Sequence, residues 1–300
     1  MLLPQTIHGF VLKQKDWTLL LVDNVEPVKW NKDAFDRLVV RPSTKEMIKA
    51  LVMVRIMERE GERVMDLSRK RDDLIAGKGN GLIMLLHGGP GTGKTLTAAE
   101  MPLYRVTCGE VGTTAEAVEK YLESILHLGK VWNCVLLLDE ADVFLEERSM
   151  SDLERNSLVS VFLRILEYYD GILILTTNRV GTFDEAFQSR IQVAIHYPTL
   201  DYLSRKRIWE NFFHLLYDDE QDADVDELRR HTEQLAEHQM NGRQIRNILT
   251  TARQLALYKQ ETLTWKHVDQ AMTTAKDFSR YLQNVHGHSD EQWAREEKLR

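Results

Sequence analysis

An apolar run at residues 82–86 leads directly into a glycine-rich segment, and this junction restricts the fold more than any other feature of the chain. Residues 87–95 read His-Gly-Gly-Pro-Gly-Thr-Gly-Lys-Thr and fit the pattern G-x-x-x-x-G-K-T. Glycines allow the backbone to wrap around an anion with its N–H groups pointing inward, where a Cβ atom would obstruct it. The junction therefore predicts a strand, a phosphate-binding loop and a helix, in that order.

The loop supplies most of the predicted contacts to a bound nucleotide. In this pattern Lys94 reaches the β- and γ-phosphates, and the hydroxyl of Thr95 binds Mg²⁺. Thr95 also opens the predicted helix, whose first N–H groups favour an anion. We therefore predict that ATP and Mg²⁺ bind here, with contacts from Gly88, Gly89, Pro90, Gly91, Thr92, Gly93, Lys94, Thr95 and Leu96.

Two carboxylates follow another strongly apolar run, at residues 135–138. Asp139 lies 45 positions after Lys94, and at the end of a strand it would hold Mg²⁺ through the water shell of the metal. Glu140 would polarise the attacking water as a general base. A further apolar run ends at Asn178, whose side chain would orient that water toward the γ-phosphate. This order of residues predicts hydrolysis of the terminal phosphate.

Two arginines complete the predicted site. Arg190 lies just before the last predicted strand, where it could face the nucleotide of a neighbouring subunit and neutralise charge in the transition state. Arg243 follows Asn241 and Gly242 at the start of a predicted helix. From there it could reach back over the phosphates and couple domain closure to the nucleotide state. Arg246, at helical spacing, is the alternative to Arg243.

The order of apolar runs predicts an α/β core followed by a helical domain. Unbroken apolar strands separated by helices are typical of a parallel sheet with helices on both faces. After Pro198 the pattern predicts only helices. We therefore divide the chain into a short β-rich segment (1–30), an α/β core (31–198), a helical lid (199–283) and a charged tail (284–300). The predicted core strands cover residues 82–86, 103–107, 134–138, 172–176 and 193–197.

Composition limits the class of protein and its partners. With 300 residues, 43% of them hydrophobic, and 6 prolines, the chain is typical of a globular protein. Its net charge of −7 argues against binding nucleic acid by neutralising phosphates. No apolar run approaches the ~20 residues of a membrane span, and the N-terminus lacks a signal-peptide pattern. Cys108 and Cys134 are expected to be reduced thiols, so we predict a cytoplasmic or nuclear protein.

Together these motifs resemble those of the AAA-type (AAA+) ATPases over roughly residues 30–283. Residues 137–145 and 167–179 are most similar to fungal AAA-domain proteins with a large, uncharacterised N-terminal region. The resemblance implies a five-stranded parallel sheet, a helical lid and ATP bound between them. It also implies ring-like homo-oligomers, often hexamers, that use ATP hydrolysis to remodel a protein client. By motif match, Glu140, Asn178 and Arg190 would serve hydrolysis, and Arg243 would act as a second sensor.

The chain departs from the family in the helix after the loop. Seven residues (95–101) separate Lys94 from Pro102, where the family has about two more turns. A helix of that length rises ~10 Å, the next strand spans ~16 Å, and a parallel crossover normally needs a dozen or more residues. Either the strand at 103–107 is displaced, or the segment reflects an error in gene prediction or alternative splicing.

Two functions from other classes remain open. A shortened helix could leave a nucleotide-binding switch or scaffold with little hydrolysis. A kinase for a small molecule is disfavoured, because a base aimed at water serves no purpose there.

No aromatic residue occurs between Tyr104 and Tyr121, so threading of an unfolded polypeptide is a weaker prediction than for the family at large. The adenine is expected near residues 35–40.

Overall fold

The structure is a computed structural model of the chain, and it describes residues 4–12, 16–27, 33–59, 81–98, 102–107, 114–145, 153–179, 184–218 and 222–286. These residues form a small N-terminal hairpin, an α/β core and a helical lid. The predicted tail at 284–300 lies almost wholly outside the described residues, apart from the last turn of the final helix.

A parallel five-stranded sheet forms the centre of the core, as the apolar runs predict. Its strands are β3 (Leu82–Gly88), β4 (Leu103–Thr107), β5 (Val135–Asp139), β6 (Ile172–Thr177) and β7 (Val193–Tyr197). Their order along the sheet is β4-β5-β6-β3-β7, so the loop-bearing strand lies between two strands that come later in the chain. Every residue of β5 and β6 is buried, because both faces are covered.

Different elements cover the two faces of the sheet. Helices α2 (Ala115–Val131) and α4 (Leu153–Tyr168) pack on one face through apolar side chains such as Leu122 and Phe162. On the other face, α1 (Pro42–Arg59) packs together with Phe35 and Leu38. The short helix α3 (Asp142–Leu145) follows β5 directly. The core therefore has two apolar clusters, one on each side of the sheet.

The connection after the loop is compact. Residues Thr95–Ala98 form a 3-10 helix where the loop pattern predicts an α-helix, and residues 99–101 lie outside the described residues. The hydroxyl of Thr97 lies 2.6 Å from the Tyr197 hydroxyl, which fixes the turn against the sheet. Strand β4 nevertheless pairs with β5 in parallel, Leu103 opposite Val135. A displaced strand, one of the two explanations for the short segment, is therefore wrong.

The lid packs around an apolar cluster of its own. Trp209, Phe213 and Leu228, which are all fully buried, lie at its centre. Within the lid, residues 225–237 form two short helices that meet at His231. A helical lid after the sheet confirms the predicted fold class. Its elements are α5 (Tyr202–Asp218), α6 (Val225–Arg230), α7 (Thr232–Glu237), α8 (Gly242–Lys259) and α9 (Trp265–His286).

The N-terminal residues form an antiparallel hairpin of β1 (Thr6–Val11) and β2 (Asp16–Leu21). Phe10 attaches it to the core, because its ring packs edge-on against Tyr104 and Trp132 at centroid distances of 6.5 and 5.4 Å. Within the hairpin, the same ring packs on Trp17 at 5.6 Å. Aromatic pairs at such distances are favourable. Among the described residues, no helix is both long and apolar enough to cross a membrane.

Candidate functional site

A cavity of about 560 Å³ lies between the core and the lid, at the carboxyl ends of β3, β5 and β6. In open α/β sheets, ligands bind outside the carboxyl ends of the strands. Here the core contributes the glycine-rich loop and the ends of two strands, and the lid contributes α5 and the start of α8. The predicted residues that line it are Pro90, Gly91, Thr92, Gly93, Lys94, Thr95, Leu96, Asp139, Glu140, Asn178 and Arg243.

The loop adopts a backbone that glycine permits. Gly91 and Gly93 have φ angles of 69° and 102°, in the left-handed region that side chains with a Cβ disfavour. A Cβ on Gly91 would also lie 2.6 Å from Oδ1 of Asn241 in the lid. The hydroxyl of Thr92 donates to the Gly89 carbonyl at 2.9 Å and closes the loop. The cradle and its size fit a phosphate chain.

Lys94 is buried and lies at the mouth of the loop. Its ammonium group donates to the carbonyls of Gly88 and Gly89, at 2.8 and 2.7 Å, and to Oδ1 of Asn178 at 2.8 Å. Gly88 and Gly89 thus lie behind the cavity wall and hold the lysine. Lys94 and Asn178 are 84 positions apart, and the pairing of β3 with β6 brings them together. The arrangement places a cation where the end of a phosphate chain would lie.

Asp139 ends β5 and is almost fully buried. Its Oδ1 accepts a hydrogen bond from the Thr176 hydroxyl at 2.5 Å, and both carboxylate oxygens lie 3.4 Å from the Thr95 hydroxyl. Its Oδ2 accepts from Nη2 of Arg105 at 2.6 Å. Mg²⁺ prefers oxygen ligands and keeps several waters, so one carboxylate and one hydroxyl are sufficient protein ligands. Thr95 and Asp139 therefore fit a hydrated Mg²⁺.

Glu140 turns out of the strand into the cavity. Its φ of 59° lies in the left-handed region, which costs a residue with a side chain ~1–2 kcal/mol. Its backbone N–H donates to the Thr176 hydroxyl at 3.1 Å, and this bond supports the unusual conformation. Strained backbone held in this way is found at active sites. The exposed carboxylate of Glu140 is thus directed toward the cavity, next to Asp139.

Three supporting residues were not identified in the sequence analysis. Thr176 bridges Asp139 and the Glu140 backbone, as described above. Asp142 accepts hydrogen bonds from the Thr177 hydroxyl and from the Asn178 N–H, so it fixes the turn that carries Asn178. Arg105, in the middle of β4, lines the cavity and pairs with Asp139. The available signal for Arg105 was a charged residue inside an otherwise apolar strand.

The lid approaches the loop through the start of α8. Asn241 caps this helix in a capping box with Gln244, and the Gly242 N–H donates to the Gly91 carbonyl at 2.8 Å. Arg243 and Arg246 both line the cavity, so the choice between them stays open. Two cationic side chains from one helix face the same space as Lys94, which favours a ligand with several negative charges.

Arg190 is not among the residues that line the cavity. Its guanidinium donates to the carbonyls of Leu163 and Ala186, at 3.1 and 2.9 Å, and to Glu167 at 3.1 Å. The side chain is 24% exposed. Within the chain Arg190 therefore ties α4 to the turn before β7. The role predicted for it involves a neighbouring subunit and stays a prediction.

Part of the segment predicted to lie near adenine forms an apolar wall of the cavity. Leu38 and Val39 face Ile208 and Phe212 of the lid. Nδ2 of Asn211 donates to the Arg37 carbonyl at 2.9 Å and joins the two sides. An apolar slot beside the phosphate loop fits a flat base.

A histidine pair lies in the strands beneath the loop. His87 in β3 and His196 in β7 are register partners with ring centroids 5.0 Å apart. Burial lowers the pKa of His87, and the nearby His196 and Lys94 lower it further. Burial also raises the pKa of Tyr197 to about 12. Both groups are therefore held in their neutral forms.

Comparison with known families matches two consecutive regions. Residues 84–199 match the ATPase family associated with various cellular activities (AAA). Residues 200–289 match the fungal AAA+ ATPase lid domain. The two matches meet where the last strand gives way to the helices of the lid, and the predicted family is confirmed.

Similar proteins come from several kingdoms. The chain is 26% identical over 199 residues to ATPase family AAA domain-containing protein 3-B of Xenopus laevis, covering 62% of this chain and 32% of that protein. It is 28% identical over 221 residues to the ATP-dependent zinc metalloprotease FtsH of Lachnoclostridium phytofermentans, covering 64% and 35%. A putative 26S proteasome regulatory subunit homolog of Methanothermobacter thermautotrophicus is 29% identical over 213 residues, covering 64% and 55%. The chain thus spans about a third of the Xenopus relative's length.

Proposed function

The chain carries an AAA domain of the ATPase family followed by a fungal AAA+ lid domain, and from that premise we propose that it binds ATP with Mg²⁺ and hydrolyses the ATP. The observation that carries the proposal is the convergence of Lys94, Asp139, Glu140 and Asn178 on one cavity. These side chains come from three different strand ends, and each has the chemistry that one step of hydrolysis requires.

The roles follow from position and charge. Lys94 neutralises the terminal phosphates, and Asn178, bonded to it at 2.8 Å, positions the attacking water. Glu140 accepts the proton of that water as it attacks. When bound at Thr95 and Asp139, Mg²⁺ supplies charge stabilisation for the phosphate oxygens. Arg243 or Arg246 stabilises the charge from the lid side.

We also propose that hydrolysis moves the lid and remodels a protein client. The lid has its own apolar cluster and contacts the loop through Gly242 and Gly91, so a change at the phosphates acts directly on the first residues of α8. AAA domains commonly assemble into rings, and we propose a homo-oligomeric ring, such as a hexamer. We propose that the protein acts in the cytoplasm or nucleus, where ATP is present and cysteines such as Cys134 stay reduced.

Arg190 provides a test of the ring. If it acts on a neighbour's nucleotide, Arg190→Ala leaves ATP binding intact and lowers turnover, by ~10³-fold or more when such an arginine is essential. If it serves only within the chain, the variant loses its bonds to Glu167 and two carbonyls. In that case the melting temperature falls and the turnover per folded subunit is unchanged, which would contradict the role across an interface.

The decisive measurement for the proposed function is Mg²⁺-dependent phosphate release from ATP over a series of protein concentrations. We expect turnover that rises faster than linearly with concentration and is lost in Glu140→Gln, which keeps the shape of the side chain but removes the base. Turnover that is equal in both proteins would remove Glu140 from the mechanism. Transfer of phosphate to a metabolite, instead of release, would indicate a kinase.

A second candidate function is a nucleotide-loaded switch with little turnover. Two observations favour it: a 3-10 turn follows the loop, and Arg105 already engages the carboxylate of Asp139. Because misplacement by ~1 Å can cost ~10²-fold in rate, binding could survive without hydrolysis. Tight ATP binding with no phosphate release, in both the parent chain and Glu140→Gln, would identify the switch.

A further inference from the structure

Arg105 lies where strand pairing directs it toward the carboxylate of the proposed Mg²⁺ site. It is paired with Leu137 across β4 and β5, two residues before Asp139. Because side chains alternate along a strand, Leu137 and Asp139 project from the same face of the sheet. The guanidinium of Arg105 therefore runs along this face to Asp139, and its Nη2 lies 2.6 Å from Oδ2.

The contact occupies the carboxylate that a hydrated metal would use. One oxygen of Asp139 accepts from Thr176 at 2.5 Å, and the other accepts from Arg105 at 2.6 Å. The Thr95 hydroxyl is 3.4 Å from both oxygens, so a metal held by Thr95 and Asp139 would use the same carboxylate that Arg105 engages. A buried carboxylate without a cation is costly, and Arg105 supplies that cation.

The two partners differ in their freedom to move. The side chain of Asp139 is 10% exposed, whereas that of Arg105 is 55% exposed. Water can solvate the exposed guanidinium when it leaves its partner, whereas the carboxylate stays enclosed by protein. The Asp139 carboxylate is thus held in place, whereas the Arg105 guanidinium can be replaced by another cation.

We propose that Arg105 is a positioning residue that competes with Mg²⁺ for Asp139. In the absence of the metal, the guanidinium holds the carboxylate in place and adds positive charge beside the phosphates, so nucleotide binds without Mg²⁺. Binding of Mg²⁺ then requires Arg105 to leave Asp139. This inference rests on the proposed binding of ATP and Mg²⁺, but it does not require that the chain hydrolyses ATP.

The test measures ADP affinity by isothermal titration with EDTA and over a series of Mg²⁺ concentrations. Raising the Mg²⁺ concentration changes the affinity for ADP, and the concentration at half of that change is the quantity to compare. In Arg105→Gln it falls about 10-fold, the factor expected for losing one charged hydrogen bond. Affinity for ADP in EDTA falls as well, because a positive charge is lost. Arg105→Lys keeps the charge and stays close to the parent chain in both measurements.

Arg164→Gln is a matched control. Arg164 pairs with Glu119 at 2.5 Å and is 58% exposed, but it joins α4 to α2 and does not line the cavity. We expect parent-like Mg²⁺ dependence for it. The same Mg²⁺ dependence in Arg105→Gln and in the parent chain would overturn the inference alone. Absence of ADP and ATP binding from the parent chain and the control would overturn the proposed function and the inference with it.

Discussion

The core and the lid reach the same cavity in different ways. In the core, Lys94 and Asp139 project from the ends of buried parallel strands, and each is fixed by several hydrogen bonds. In the lid, Arg243 and Arg246 extend from the first two turns of a helix, are exposed, and have no such network among the described contacts. The lid meets the core through contacts such as the Gly242 N–H to the Gly91 carbonyl.

This difference indicates that the core and the lid have separate roles. Groups on the sheet are held in place before any ligand arrives, so they determine where phosphate binds. Groups on the lid belong to a unit with a separate apolar cluster, and they can change position without disturbing the sheet. We expect affinity to depend mainly on the core and the response to nucleotide mainly on the lid. The following experiments test that division, beginning with the largest expected effect.

Truncation of a buried leucine in the lid should leave the core intact. Leu228 is fully buried in the lid cluster, and Leu→Ala at such a site costs ~2–5 kcal/mol. Leu228→Ala should therefore speed amide exchange in α8 and α9 but not in β5, as measured by mass spectrometry. Leu136→Ala, in the core cluster, should do the reverse. Equal acceleration of both regions by either variant would show one cooperative unit.

Removal of the loop lysine should weaken ATP binding by about 100-fold, since charged hydrogen bonds contribute ~1.5–3 kcal/mol each. The measurement is a titration of Lys94→Ala with ATP and Mg²⁺. Lys206→Ala removes a lysine of the lid that pairs with Glu233 on its surface and should bind like the parent chain. An unchanged affinity in Lys94→Ala would contradict the placement of the phosphates.

Loss of the cap of α8 should affect the lid and its contact with the loop. Asn241 accepts from the Gln244 N–H at 2.9 Å, and replacing such a cap with alanine costs ~1 kcal/mol. We expect Asn241→Ala to increase exchange in the first turn of α8 and to reduce the protection that ATP gives there. Asn241→Ser, which retains a capping oxygen, should behave like the parent chain. Equal amide exchange in Asn241→Ala and Asn241→Ser would argue against coupling between the loop and the lid through the first turn of α8.

Acidification should produce the smallest effect. The core and the lid should each respond to it through a different histidine. Burial is the largest cause of the lowered pKa of His87 in the core and of His238 in the lid. Because the unfolded chain binds protons more readily, the stability from each neutral histidine is present above about pH 6.5 and is lost as pH falls toward the lowered value. Each His→Gln variant should flatten the pH dependence of exchange in its own half. A flatter pH dependence of exchange in the lid for the His87 variant, or in the core for the His238 variant, would contradict the separate behaviour of core and lid.

The fold and most of the candidate site could be predicted because the signals are local. A strand followed by glycines and Lys94-Thr95 encodes its own backbone conformation, and unbroken apolar runs such as β5 require cover on both faces. The sheet and the lid were predicted on this basis, and the described residues agree. An α-helix is expected after Thr95 from the loop motif, whereas the described residues there, Thr95–Ala98, form a 3-10 helix.

The contacts that could not be predicted join residues that are distant in the sequence. Arg105 and Asp139 are 34 positions apart, and they meet because β4 pairs with β5 in one particular register. Shifting that register by one residue would turn Arg105 to the other face of the sheet. The bonds of Arg190 to α4 likewise depend on how that helix packs.

The sequence alone thus determined which chemical groups the chain has and which local conformations carry them, because loop and strand signals extend over a few residues. Which groups share an environment depends on the folded chain: Lys94 lies beside Asn178, and Asp139 beside Arg105. Hydrogen bonds and ion pairs act over a few ångströms in space, and strand order and register bring distant residues within that range.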